Sequence, residues 1–437
     1  MDNQVKKSST SNKKDENFKN ITEIGTSINI QQDKAKLNQI NSKAISNNNF
    51  NLGNEAKYNL NSNKNVSSIK EYFPYPLLIG LDNIGATGYM NSTLQCFCNI
   101  EKFVNYFKYN KLLIDLVNND IYKLKLSSAF KLLIDELWPD NYEQNKVTHF
   151  SPYNFKDIIS KMNPMFKEIS ANDAKDLVSF ISFIITTLHD ELNKARNYNM
   201  NINNFHSLDH RNQEVMLHNF IRDFEENNQS IISDLFYAAQ CFTTQCSNCK
   251  TLSYIYQSYF LMIFPLEEVR KHKVNNINQF NNFNNISNND EINIYDCFEY
   301  NQKIDYMTGE NGIYCSYCKK KCDTSMRTVL TTGPEILYII LNRGRGIEFK
   351  DKVNFTEYIN LSNYIQFNNT GANYELIGVI IHLGEEGLLG HFIAFCKNPI
   401  SKMWFKYNDD RVTPVNNLKS EVIDCEWPYL LFYQKIN

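Results

Sequence analysis

The sequence predicts an α+β fold, with a helical part first and a mostly antiparallel, β-rich part facing it. Three observations carry this. From Met90 to about Phe107 and from Ala174 to Leu192 apolar residues recur with helical spacing, as in Leu177, Phe180, Ile181, Ile184 and Leu188. From Ile336 onward the pattern becomes strand-like: ILYIIL, LIGVIIHL, HFIAF, WFKY and YLLFYQK are short runs rich in β-branched and aromatic residues. With 42% hydrophobic and 13% aromatic residues over 437 positions, the chain has the material for a large core.

The elements follow in order. Residues 1–76 are rich in Asn, Lys and Ser and show neither helical nor strand period, so they are expected to form a disordered tail. Composition changes at Tyr72-Phe73-Pro74-Tyr75-Pro76, where core-forming density begins. A second polar tract, Val274 to Asn293, reads as a long surface loop inserted in the folded part. The net charge of −3, from 45 basic and 48 acidic residues, gives no cationic field for a nucleic acid or an anionic membrane. No run approaches the roughly 18 apolar residues of a membrane span, and the start MDNQVKKSSTSNKK lacks the apolar core of a secretory signal. The expectation is an intracellular protein, in cytoplasm or nucleus, whose 11 cysteines are mostly reduced and are to be read for metal or catalysis.

Gly80 to Gln95 (GLDNIGATGYMNSTLQ) is the first constellation. Glycines at 80 and 85 permit a tight loop, Thr87 is placed to cap, and the apolar periodicity that follows opens a helix. Such a junction delivers its last loop residue to a helix N-terminus, where exposed N–H groups lower a thiol pKa and bind an oxyanion. The plain alternative is an ordinary loop-to-helix turn. Further along, Tyr374–His382 and Gly390–Phe395 are strand-like runs joined by a Gly-rich loop, with His391 opening the second and Asn408 and Asp409 following Trp404–Tyr407. A histidine held this way suits a base whose tautomer the next strand fixes, although a lone histidine there is more often structural.

GLDNIGATGYMNSTLQ resembles the cysteine box of the ubiquitin-specific proteases, papain-like enzymes that hydrolyse the bond after the ubiquitin C-terminus. The segment around His391 is similar to the histidine box of the same family. The resemblance runs from about residue 78 to the C-terminus and includes Pro334–Arg343 and Trp427–Tyr433. It implies a helical thumb over about 77–235, β fingers over about 236–330 containing the Asn-rich insertion 274–293, and an antiparallel β palm over about 331–437. His391 then aligns with the general base, Asn408 with its orienting partner, Asp409 with the neighbouring supporting acid, and Asn83 with the amide that stabilises the oxyanion.

Cys246-x2-Cys249 and Cys315-x2-Cys318 are two knuckles whose thiolates suit one tetrahedral zinc ion, a strong signal in a reducing compartment, against the alternative of four unrelated buried thiols. The resemblance places this structural zinc in the fingers that grip ubiquitin. Cys241 and Cys322 lie nearby without ligand spacing. Asp173 and Asp176 share a face at the start of the helix entering Leu177, where acids favour the dipole. They are similar to the family's acids that meet the arginines of the ubiquitin tail.

The decisive departure is Gly88, which occupies the position of the family's nucleophilic cysteine. Glycine supplies no thiolate, and Cys96 and Cys98 lie about 12 and 15 Å further along the helix, out of attack range. The expected function is a ubiquitin-recognising member of the family, impaired in catalysis. One alternative is an active cysteine-type deubiquitinase, if Gly88 is a sequence error or a deliberate replacement; another is a scaffold that does not use ubiquitin.

Overall fold

A computed structural model describes residues 78–109, 125–139, 147–167, 175–197, 211–280, 291–344, 350, 352–367, 371–384 and 390–436. The expected tail therefore falls outside the described residues, as does Asp173. In chain order the elements are β1 (Gly80–Leu81), α1 (Gly88–Cys98), α2 (Glu101–Tyr109), α3 (Leu126–Leu137), β2 (His149–Phe150), α4 (Tyr153–Met162), α5 (Lys175–Leu192), α6 (Gln213–Asn227) and α7 (Ile231–Phe236). Next come β3 (Ala238–Cys246), β4 (Leu252–Tyr259), β5 (Met262–Pro265), α8 (Leu266–Phe280), β6 (Ile292–Asn293), α9 (Ile294–Asn301), β7 (Ile304–Met307), β8 (Ile313–Cys315), β9 (Lys320–Cys322) and β10 (Thr324–Leu330). The remainder is β11 (Ile336–Asn342), β12 (Val353–Asn354), β13 (Tyr358–Asn360), β14 (Asn373–Leu383), β15 (His391–Lys397), β16 (Trp404–Asn408), β17 (Arg411–Pro414) and β18 (Pro428–Ile436).

The largest sheet runs β17-β16-β15-β14-β18-β11-β5, with β13 also on β14. All its pairs are antiparallel except β11 with β5. Its central strands read as unbroken apolar runs because both faces are covered. On β11, Ile336, Tyr338 and Ile340 point into a core shared with α1, α2, α3, α5 and α7, whereas Leu337, Ile339 and Leu341 point into a second core with α8 and α9. A separate sheet, β4-β3-β10-β7, carries the small β8–β9 hairpin beyond it.

Two local readings of the sequence change. The single helical run from Met90 to Phe107 is two helices, because Asn99 and Ile100 fold back onto the carbonyls of Cys96 and Phe97 and turn the chain. The polar tract from Val274 begins inside a helix: α8 continues to Phe280, after an opening turn bearing Glu267 and Glu268 in ion pairs with Arg270 and Lys271. Acids in a first turn favour the helix dipole, a local signal that composition alone hides. Moreover β5, although inside the stretch expected to form fingers, pairs with β11 of the large sheet.

Every residue of α1 is buried, polar ones included. Their hydrogen bonds explain this: Gln95 Nε2 donates to the Ile79 carbonyl at 2.9 Å, and Asn91 Nδ2 donates to the carbonyls of Leu81 and Asp82, both at 3.2 Å. Phe97 is the hub of the first core, with ring centroids of Phe103, Phe130, Phe236, Tyr338 and Phe432 5.4 to 6.3 Å away. Phe97→Ala is expected to cost about 3–5 kcal/mol, because the surrounding rings cannot close the void. Chemical denaturation of the full chain measures this, and a loss below about 1 kcal/mol contradicts the packing described.

Candidate active site

The site forms where α1 meets the edge of the large sheet. Gly88 is the first residue of α1, and His391 is the first of β15. A Cβ placed on Gly88 would lie 3.0 Å from His391 Nδ1 and 3.3 Å from its Cε1, so the imidazole faces the glycine directly. His391 Nε2 donates to Asn408 Oδ1 at 2.6 Å. An amide oxygen only accepts, which places the ring proton on Nε2 and leaves the Nδ1 lone pair turned toward position 88.

Asn408 ends β16, and Asp409 and Asp410 form the two-residue connection to β17. Asp409 has φ of +51°, a left-handed conformation that aspartate tolerates and that turns its carboxylate back into the site. There it accepts from Asn83 Nδ2 at 2.9 Å and from Asn91 Nδ2 at 2.8 Å, while its backbone carbonyl accepts from Leu81 N at 2.9 Å. Its Oδ2 lies 3.7 Å from His391 Nε2. Asp409 thus ties the loop before α1, the helix itself and the histidine into one unit. Gly80 is required beside it by space, since a Cβ there would fall 2.3 Å from the Asp410 carbonyl.

Asn83 is fixed from both ends. Its Oδ1 accepts from the backbone N–H groups of Gly85 and Thr87, each at 3.2 Å, and its amide is held on Asp409. Thr87 occupies the N-cap position but does not cap; its hydroxyl donates to Asn83 Oδ1 and accepts from Ile84 N, so it braces the loop instead. The first turn of α1 therefore receives no side-chain cap, leaving its N-terminal positive end toward His391. Sequence reasoning assigned no role to Asn91. The signal for it is a run of polar residues inside a helix that begins in a predicted core.

Among the described residues around position 88, none takes the place of a thiol there. The Thr87 hydroxyl is committed to the loop, and the Ser92 and Thr93 hydroxyls donate to the Tyr89 carbonyl. Cys96 and Cys98 are buried, with Cys96 Sγ 3.6 Å from Cys396 Sγ, and burial pushes both thiols well up. They fill the core, as their distance along the helix implied.

Cys246, Cys249, Cys315 and Cys318 converge, with all four sulfurs within 4.8 Å of one another. The separations of 3.9 Å for Cys246–Cys318 and 3.6 Å for Cys249–Cys315 match the edges of about 3.8 Å of a tetrahedron with metal–sulfur bonds of about 2.3 Å. The two knuckles have the same shape: Lys250 and Lys319 have φ of 61° and 57°, and their backbone N–H groups donate to the carbonyls of Cys246 and Cys315 at 2.9 Å. The Thr251 hydroxyl, 3.2 Å from Cys249 Sγ, helps bring that thiol down to about 6. The donor set suits a tetrahedral metal such as zinc. Cys241 and Cys322 stay outside it, the former packing on Met216 and Tyr256.

Asp176 lies in the first turn of α5, and its side chain is outside the described residues, as is the whole of Asp173. Among the described residues no helix is long and apolar enough to cross a membrane.

Residues 79–433 match the family model described as ubiquitin carboxyl-terminal hydrolase. Ubiquitin carboxyl-terminal hydrolase 2 of Bos taurus is 27% identical over 365 residues, covering 82% of this chain and 55% of that protein. The Gallus gallus protein of that name is 29% identical over 363 residues, covering 82% of this chain and 93% of its own length. Against the first curated relatives it matches, mammalian and insect, the chain spans about half their length or less. Among solved structures, a SAGA DUB module bound to ubiquitin aldehyde superposes with a TM-score of 0.56 at 21% identity, over 82% of this chain and 70% of that one. A SAGA DUB module bound to monoubiquitin gives 0.57 at 21% identity, over 86% and 73%. With a match across most of its length, this chain belongs to the ubiquitin carboxyl-terminal hydrolase family, in its ubiquitin-specific-protease group.

Proposed function

We propose that this protein recognises ubiquitin or ubiquitin conjugates and cleaves them poorly or not at all. One observation carries the reading: the helix that should present the nucleophile begins with a residue that has no side chain, while beside it His391 is hydrogen-bonded to Asn408 and Asn83 to Asp409. His391 is then a base without a thiol to deprotonate, oriented by Asn408, and Asp409 holds the assembly together. Asn83, locked through its Oδ1, offers its remaining amide N–H to an oxyanion. Base and oxyanion donor still assist direct attack by water, at a rate far below that of covalent catalysis. Recognition does not require the missing atom, so it survives. A chain that holds conjugates without cutting them shields them or recruits partners to them.

The ubiquitin tail is assigned to Asp173 and Asp176, on the resemblance to the family's acidic element. The fingers hold one zinc ion on Cys246, Cys249, Cys315 and Cys318, and thiolates kept for a metal suit a reducing compartment, cytoplasm or nucleus. Calorimetric titration of the full chain with ubiquitin is expected to show saturable binding. Charge reversal of Asp173 and Asp176 together is expected to weaken it at least about thirtyfold, the scale for uncovering paired charges at an interface. Absence of binding at high micromolar ubiquitin refutes the proposal.

The intact His391–Asn408–Asp409 unit also favours a second reading, a working deubiquitinase whose natural residue 88 is cysteine. Resequencing the locus and reaction with a thiol-trapping ubiquitin probe separate the two: a labelled native chain supports the second.

A further inference from the structure

His382, on β14, is a titratable side chain that the site described above does not use. It is 5% exposed, and its Nδ1 has no hydrogen-bond partner among the described residues. The ring packs against Phe392, with centroids 4.5 Å apart, and near Tyr429 at 6.5 Å. Its other edge lies against Gly390: a Cβ built there would fall 1.7 Å from His382 Nε2, 2.2 Å from Cε1 and 2.8 Å from Cδ2. Overlap that deep involves the body of a packed ring, so residue 390 is confined to glycine by space. Gly390 and Phe392 flank His391, and β14–β15 pairing sets His382 opposite Phe392 and Leu383 opposite His391. The ring of His382 therefore touches the residue on each side of the candidate base. Burial pushes its pKa down, so the ring packs as a neutral wedge.

We propose that His382 is a positioning residue: wedged between Gly390 and Phe392, it sets the start of β15 so that His391 Nδ1 faces the head of α1 while Nε2 holds Asn408. The proposal rests on the reading of His391 as the base of this site. It does not depend on a thiol at 88, and its first test uses the full chain as it stands, with histidine imidazoles labelled with 15N. The Nε2 proton of His391, held on Asn408 at 2.6 Å, is expected as a protected downfield resonance. His382→Ala is expected to abolish that resonance or speed its exchange at least about tenfold, and His382→Gln, which returns a polar atom near the Nε2 position, to restore it in part. Gly390→Ala drives into the ring from the other side and is expected to produce the same loss, which keeps the test open if His382→Ala does not fold. In a Gly88→Cys background, His382→Ala is expected to lower kcat about tenfold to a hundredfold, the scale of an ångström-sized misplacement, with KM and ubiquitin affinity unchanged. An unchanged His391 resonance in His382→Ala, or in Gly390→Ala where the former is unfolded, overturns the proposal. A silent Gly88→Cys parent counts against the reading of the site, and the imidazole signal still decides the positioning claim.

Discussion

Gly88→Cys is expected to turn this chain into an efficient hydrolase of a fluorogenic ubiquitin C-terminal amide, raising turnover by about a thousandfold or more. The scale comes from nucleophile deletions in enzymes of this chemistry, which leave only the contribution of base, oxyanion donors and binding. The physical case is local. A thiol at the uncapped start of α1 sits in the positive end of the helix dipole, and the His391 lone pair already faces it. The one obstacle is steric. The new Cβ would sit 3.0 Å from Nδ1, so the ring must yield by a few tenths of an ångström. It has room to do so, because its side chain is 37% exposed. Gly88→Ala presents the same Cβ without sulfur and is the control, expected to stay inactive. A Gly88→Cys chain that binds ubiquitin normally but shows no turnover contradicts the assignment of His391.

The second large effect concerns the fingers. Cys315→Ser is expected to release zinc and to unfold the β8–β9 hairpin together with the ends of β3 and β10. Beyond the knuckles little apolar packing holds this region: Tyr314 and Tyr317 are exposed, and Cys322, still 8% exposed, is the only residue of the two hairpin strands that is buried. Four thiolates around one ion would supply the missing stability, since structural zinc in comparable small modules contributes about 10–16 kcal/mol of binding free energy to folding. Metal analysis of the native chain is expected to give one zinc per molecule, and hydrogen exchange to show protection at Cys246–Thr251 and Cys315–Cys322 that a chelator abolishes. A zinc-free chain with the same protection contradicts the four-cysteine site. The two cores lie outside this region, so Phe97 and its neighbours are expected to stay protected.

Much of this was legible in the sequence because it depends on local pattern. The run ILYIIL is apolar without a break since both faces of β11 are covered, and the two CxxC knuckles state their own chemistry through spacing. His391 opening a strand is legible in the run HFIAF, whereas Asn408 as its partner came through the resemblance, and the β15–β16 pairing sets the two strands side by side. What escaped depends on contacts distant in sequence. Asn91 acts through Asp409, far along the chain, and Thr87 looked like a cap until Asn83 claimed its hydroxyl. β5 joins the large sheet through a parallel pairing that no hairpin turn announces, and α8 continues into Asn-rich sequence because its first turn had already nucleated it. Gly390 and His382 each read as ordinary motif residues; only their close approach gives them a joint role.

The claim on which the rest depends is that a complete ubiquitin site surrounds an absent nucleophile. The most direct test is to incubate the native full-length chain, verified by mass spectrometry to carry glycine at 88, with the ubiquitin amide at saturating concentration. Bound ubiquitin with turnover no higher than in the Gly88→Ala control is the predicted result. Release of free ubiquitin at a rate typical of a working protease would contradict it.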